Sequence, residues 1–365
     1  MADKTKIGWT DATWNIVTGC SMVSAGCTNC YAMGLAASRL QHHPSRAGLT
    51  RETGGRPVWT GEVRFNEGWL DQPLRWRAPR RIFVCAHADL FHEAVPDEWI
   101  DRVFAVMALC PQHTFQVLTK RPERMREYVS RLDIYTLEET EEWRAADYRV
   151  TCDDDPNGSP AWHEKTALLE EAIHLARKTL DAGKPLPNVW IGTSIEDQAT
   201  ADARIPHLLQ TPAAIRFVSA EPLLGEVDLT LPQFGEMHCA ANCSDGCRAM
   251  GDDECPKHYG LPRLDLVIVG GESGPRARPM HPDWVRSLRD QCVEAGVAFH
   301  FKQWGEWAPG AGFACPDNLP TDGWHHFDPE CSARRVGKKA AGRLLDGRTW
   351  DEMPGSRGVH ANDKT

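Results

Sequence analysis

The stretch LDLVIVGGESG, residues 264–274, decides how this chain is read. Its aliphatic core, Leu266 to Val269, has no polar alternation, and two glycines and a carboxylate follow at once. A strand covered on both faces has this composition, because neither side of its pleat meets water. Five further runs repeat the pattern: RIFVCAHADLF (81–91), TFQVLTKRP (114–122), NVWIGTSIED (188–197), AIRFVSAEPLL (214–224) and VAFHFKQWGEW (297–307). Helical signals separate them. These cover Pro96 to Leu109, Pro122 to Leu132, a segment over 200–210, and His281 to Ala295 closed by Gly296. The clearest helix is WHEKTALLEEAIHLARKTLDAG (162–183), with Pro160 ahead of it, Leu168, Leu169, Ile173, Ala176 and Leu180 on one side, and Gly183 as terminator.

Strand and helix thus alternate, which predicts an α/β protein. The economical fold is a full or partial (β/α) TIM-like barrel over 1–310, with an open doubly wound sheet as its rival. A barrel carries its reactive groups just past its strands, and the polar residues fall there. They are Asp89, Lys120, Ser194 with Glu196, Glu221, Gly270 to Glu272, and Lys302 with Gln303. Two segments read as insertions: an acidic surface excursion at about 133–160 and a cysteine-rich one at about 232–262. The Gly- and Pro-rich residues 311–365 are expected to pack on the barrel as an extension.

A chain of 365 residues, 41% hydrophobic and 25% charged, has the composition of a globular protein with a sizeable core. No apolar run approaches the roughly 18 residues that cross a bilayer, and MADKTKIGWTDATW has no signal-like apolar region, so a cytoplasmic protein without membrane partners is expected. Thirteen cysteines then read as reduced thiols and metal ligands. A net charge of −10 argues against a generic nucleic-acid coat protein. Basic islands at 75–81, Lys120-Arg121 and 334–343 read either as phosphate contacts or as solvated faces. The fourteen tryptophans read as core packing or as stacking surfaces.

The sharpest chemical signal is TGCSMVSAGCTNCYA (18–32), which holds Cys20, Cys27 and Cys30. Three thiolates can hold a [4Fe-4S] cluster and leave one iron open for chemistry, whereas electron carriers and structural zinc normally use four ligands. Gly19 and Gly26 allow close backbone approach beside two of the thiols. Packing cysteines, or a redox pair or half zinc site at Cys27 and Cys30, are the plainer readings. A second group, Cys239, Cys243, Cys247 and Cys255, supplies four thiolates, three of them at helical spacing. It reads as a closed site holding zinc or an auxiliary iron–sulfur cluster. Gly270, Gly271 and Glu272 suit a ligand with a cationic amine, such as the methionyl end of S-adenosylmethionine, or form a plain βα turn. Lys120 and Lys302 read as anchors for carboxylate, phosphate or ribose, or as ion-pair partners. Asp89, Glu196 and Glu221 read as acids or hydroxyl binders.

An open-iron thiol loop ahead of a βα barrel resembles the radical S-adenosylmethionine superfamily. The chain is also similar to a phage- and prophage-associated three-cysteine-motif family of unknown function related to that superfamily. The resemblance rests on KIGWTDATWN, VTGC, GCTNCYA, FHEAVPDEW, VLTKRP, RFVSAEPLLG, VIVGGESGPRARPMHPDWVRSLRDQC, FKQWGEW and KKAAGRLLDG, and covers nearly the whole chain. It implies a [4Fe-4S] cluster on Cys20, Cys27 and Cys30, with Tyr31 as the aromatic after the last ligand. It implies S-adenosylmethionine held by Gly270, Gly271 and Glu272 with Tyr31 beside the cofactor; from their place just past the strands, Ser194 is added as a cofactor contact and Lys120, Glu196, Glu221 and Lys302 are the candidate catalytic residues. Two departures stand out. The first cysteine gap is six residues where the superfamily usually has three, and Gly270 to Glu272 follow a late strand rather than the second.

The expected activity is radical modification or repair of a nucleic-acid base or nucleotide, driven by a one-electron reductant such as flavodoxin or ferredoxin. The alternatives are a non-catalytic zinc-binding module that recognises nucleic acid, and an iron–sulfur nuclease or repair factor without radical chemistry.

Overall fold

The structure, a computed structural model, describes residues 5–151, 160–230, 264–310 and 323–355. In chain order its elements begin with β1 (Ala12–Trp14), β2 (Val17–Thr18), α1 (Tyr31–Ala36), β3 (Thr50–Thr53), β4 (Arg56–Trp59), β5 (Arg64–Phe65) and β6 (Arg81–Val84). Next come α2 (Asp97–Ala108), β7 (Thr114–Thr119), α3 (Pro122–Val129), α4 (Ile134–Glu138), α5 (Glu141–Thr151), α6 (Pro160–Asp181), β8 (Val189–Ile195) and α7 (Gln198–Gln210). The described chain closes with β9 (Ile215–Ala220), β10 (Leu266–Gly270), α8 (Pro282–Ala295), β11 (Ala298–Gln303), β12 (Trp307–Pro309), β13 (Trp324–His326), β14 (Ser332–Arg335) and α9 (Lys338–Ala341).

Seven strands lie in one sheet in the order β1-β6-β7-β8-β9-β10-β11, and the registered pairs are parallel. Each strand after β1 adds beside its predecessor in that list, and the order never reverses. A doubly wound sheet must reverse at its switch point, so the sequential order sets that rival aside. The result is a mixed α/β fold compatible with a partial TIM-like barrel. All six apolar runs form strands. The seventh, β1, is three residues long and has no run of its own to announce it.

The chain divides into two compact units, residues 1–193 with 210–215, and residues 194–209 with 216–365. In the first, Ile82, Val84, Phe115, Val117 and Ile191 on the strands are buried, as are Ile100, Val103, Phe104 and Met107 on α2. Trp14 meets Phe115 with ring centroids 6.0 Å apart, and Phe104 meets Tyr128 at 5.5 Å. Each such side chain contributes about 1.5–3 kcal/mol by leaving water. In the second unit, Phe217, Val267, Val269, Phe299 and Phe301 are buried, with Val285, Leu288 and Cys292 of α8. Helix α8 starts at Pro282, where the Asp283 amide donates to the His281 ring at 3.1 Å, and stops at Gly296, whose φ of 64° is left-handed.

One expectation changes. The acidic segment after 133 forms α4 and α5 rather than a bare surface excursion, and Ile134, Leu137, Trp143 and Ala146 are buried. Glu139 at the end of α4 and Glu141 in α5 are exposed, so charge hides the apolar period. Beyond residue 310, β14 and β13 extend from β12 into an antiparallel sheet followed by α9, and the Phe301 amide of β11 donates to the Trp350 carbonyl at 2.9 Å. The cysteine-rich segment, with Cys239, Cys243, Cys247 and Cys255, lies outside the described residues.

Candidate functional site

Strand β2 pairs antiparallel with β5, and the chain then enters the cysteine loop through Gly19. Gly19 has φ of 95°, and a Cβ there would fall 2.1 Å from the Glu62 carbonyl oxygen, so only glycine fits. A single 3-10 turn, Ala25–Cys27, brings the Cys27 amide to the Ser24 carbonyl at 3.0 Å, and the Cys30 amide reaches the Cys27 carbonyl at 3.3 Å. Cys30 then caps α1. Helix α1 buries Ala32, Met33 and Ala36 together with Leu49 and Trp59, and Cys20 and Cys30 pack against that cluster. The loop is clamped to the segment after β6. The Gly19 amide donates to the His87 carbonyl at 3.3 Å, the Tyr31 hydroxyl to the Ala86 carbonyl at 2.6 Å, and the Tyr31 ring meets His87 edge-on.

Burial pushes the Cys20 thiol up to about 12, and Asp89, Cys30 and Cys27 push in the same direction while Arg121 opposes them. Burial also raises Cys30, against the Met33 and Ala32 amides, with Cys27 again pushing up. Cys20, Cys27 and Cys30 thus share one loop, and Cys20 and Cys30 share one apolar cluster. Arg121 fans out beside them. Its Nη1 lies 3.1 Å from Asp89 Oδ2 and 3.9 Å from Cys20 Sγ, Nε donates to Glu93 at 2.7 Å, and Nη2 to Ser21 Oγ at 2.7 Å. His92 Nε2 meets the same Ser21 oxygen at 2.9 Å. Against the penalty of burial, Asp89, Glu93 and Cys20 keep the Arg121 charge firmly in place. Asp89 is fully engaged, accepting from Thr119 Oγ1 at 2.7 Å and from the Phe91 and Lys120 amides at 3.0 Å each.

Among the described residues no three His, Cys, Asp or Glu side chains converge on a single ion. An iron–sulfur cluster spreads its thiolates over separate irons. Three thiols on one loop, two of them against an apolar cluster and one beside a guanidinium, have the donor set such a cluster takes. A buried guanidinium stands nearby. Arg46 Nη2 lies 2.9 Å from His87 Nδ1, and its charged group sits 5.7 Å from the Trp69 ring centroid. Burial, with Arg46 adding to it, pulls His87 down to about 4.

In the second unit, Lys302 Nζ lies 2.9 Å from Glu221 Oε1, and Ser219 Oγ donates to Oε2 at 3.2 Å. Gly270 makes room for that carboxylate, since a Cβ there would fall 2.4 Å from Glu221 Oε1. Gly271 lets β10 approach the turn after β11, where a Cβ would fall 2.0 Å from the Trp304 carbonyl oxygen. Glu272 is engaged by Arg278, whose Nη2 donates to Oε1 at 2.6 Å while its Nε and backbone amide donate to Oε2 at 3.0 and 2.8 Å. Arg204 ties Ser194 to Glu196, donating from Nη1 to the Ser194 carbonyl at 2.7 Å and to Glu196 Oε2 at 3.1 Å.

Cys20, Cys27, Cys30, Tyr31 and Asp89 thus gather at one place, with Lys120 joined through its backbone. Gly270, Glu221 and Lys302 gather at another, while Glu272, Glu196 and Ser194 are held in arginine pairs. Sequence reading weighed Lys120 and passed over the neighbouring Arg121 as a site residue, although both follow the same strand. It also missed His300, which is buried on β11; among the described residues neither ring nitrogen is hydrogen-bonded, and Nδ1 lies 4.0 Å from Asp351 Oδ1. Comparison with curated proteins finds no match, and comparison with solved structures finds none. A family model does match, over residues 4–354, and with nearly the whole chain inside that match the protein belongs to the family described as "Protein of unknown function (DUF5131)".

Proposed function

We propose that this protein is a radical S-adenosylmethionine enzyme related to phage and prophage three-cysteine proteins, with a nucleic-acid base or nucleotide as substrate. The observation that carries the reading is the placement of Cys20, Cys27 and Cys30 on one short loop, with Cys20 and Cys30 packed against an apolar cluster and Arg121 beside Cys20. When bound, the cluster and its partner cofactor supply one-electron cleavage of a sulfonium and a hydrogen-abstracting radical.

The chain's own groups supply the setting. Met33, Leu49 and Trp59 keep water from one side of Cys20 and Cys30, which strengthens the charge interactions there. Arg121 carries a positive charge against Cys20 sulfur and so favours the thiolate that a metal requires. Asp89 fixes Arg121 and is itself fixed by Thr119 and two amides. In the other unit the Lys302 and Glu221 pair is suited to hold and pass a proton. Gly270, Gly271, Glu272 and Ser194 keep their proposed cofactor contacts, and Glu196 and Lys120 their proposed catalytic ones. Cys239, Cys243, Cys247 and Cys255 are proposed to hold a second metal, zinc or an iron–sulfur cluster.

The test is anaerobic purification, measurement of iron, sulfide and zinc, and EPR of the reduced protein before and after S-adenosylmethionine. A [4Fe-4S] signal that shifts with the cofactor and is lost in Cys27→Ala supports the reading. Zinc alone after reconstitution, without an iron signal, replaces it with the zinc-binding recognition module. A cluster indifferent to S-adenosylmethionine leaves the non-radical iron–sulfur repair factor.

A further inference from the structure

The antiparallel sheet β12-β14-β13 carries Trp324 and His326 on one face, opposite Arg334 and Ser332 respectively. The two rings are parallel to within 4°, with centroids 6.5 Å apart. Both are held. His326 Nδ1 lies 2.7 Å from Ser332 Oγ, and the Arg334 guanidinium lies 5.8 Å from the Trp324 ring centroid. Gly310 passes close beneath Trp324, where a Cβ would come within 3.1 Å of ring carbon Cζ3. His326 and Arg334 are exposed and Trp324 is half-buried.

Charge follows the rings. From Ser332 to Arg343 the chain carries Arg334, Arg335, Lys338, Lys339 and Arg343 and no acid, in a protein whose net charge is −10. Neither Arg334 nor Lys339 pairs with a carboxylate among the described residues. The acids of the β13–β14 turn are partly engaged: Asp328 accepts the Glu330 and Cys331 amides at 2.7 and 2.8 Å and lies 3.6 Å from His281. A solvated face needs charge but no ordered rings. Parallel rings beside the Arg334 guanidinium are what unpaired bases on a phosphate backbone use.

We infer that this face binds single-stranded nucleic acid, with bases stacking on Trp324 and His326 and the phosphate backbone meeting Arg334. A duplex keeps its base faces stacked on one another and cannot offer them. The inference supplies a docking place for the proposed substrate class, and only in that link does it rest on the radical reading.

The experiment is fluorescence anisotropy of the full chain with labelled oligodeoxythymidylate and oligouridylate of about 15 nucleotides, and with a duplex of equal length, at low and moderate salt. One or both single strands should bind more tightly than the duplex, with affinity falling as salt rises. Trp324→Ala with His326→Ala should weaken single-strand binding by about five- to hundredfold. The pair His326→Ala with Arg334→Gln changes only exposed side chains; it should weaken binding and reduce the salt dependence. No single-strand binding at low salt, equal or tighter duplex binding, or unchanged affinity in the exposed pair overturns the inference. The EPR response to S-adenosylmethionine is independent of these variants, so either claim can fail while the other stands.

Discussion

A methyl group on Gly270 would meet the end of the Glu221 side chain, whereas one on Gly271 would meet the Trp304 backbone. A side chain can swing away and a carbonyl cannot. Gly271→Ala is therefore expected to cost more stability than Gly270→Ala in urea unfolding, against a scale of about 1–3 kcal/mol for overpacking. Equal losses would count against the close approach of β10 to Trp304. His300 sets a pH dependence. Burial, helped by Arg343 and Lys302 and opposed by Asp351 and Glu221, pulls it down to about 4. The unfolded ring titrates near 6.5, so between those values the unfolded chain binds the extra proton and stability falls as pH drops from about 6.5 to about 4. His300→Gln should reduce that slope by about one proton. It should not abolish it, because His87 is shifted the same way.

At the level of elements, α5 gives the sharpest expectation. Trp143 is buried in a segment whose composition is acidic. Trp143→Ala should cost about 3–5 kcal/mol in equilibrium unfolding. Tyr135→Ala in α4 removes a 74% exposed ring and should cost little, so similar losses from the two would return the segment to a surface excursion. The contrast also shows what was legible in the sequence. Six of the seven sheet strands announce themselves because burial on both faces removes alternation. Strand β1 is too short to form a run, and β13 and β14 are built largely of Trp, His, Ser and Arg, which imitate loop composition. The three cysteines were legible from spacing. The Arg204 and Arg278 pairs were not, because partners eight and six residues apart meet through folded turns rather than through a helical or strand period.

For the molecule as a whole, a group that binds only the folded chain raises its stability by mass action. Protein reconstituted with iron and sulfide is expected to melt at a higher temperature than the metal-free chain, and Cys27→Ala is expected to lose most of that increment. An equal increment in the variant would remove Cys27 from the ligand set. The clamp on the cysteine loop has a consequence for how the protein is made. Tyr31 reaches Ala86 across 55 residues, and Gly19 needs His87. At about 5–20 residues per second, the ribosome releases the three thiols several seconds before the segment that pins them. A nascent chain therefore passes through an interval in which the cysteine loop lacks the partners that pin it, and the loop can close only once β6 and the residues just after it have emerged.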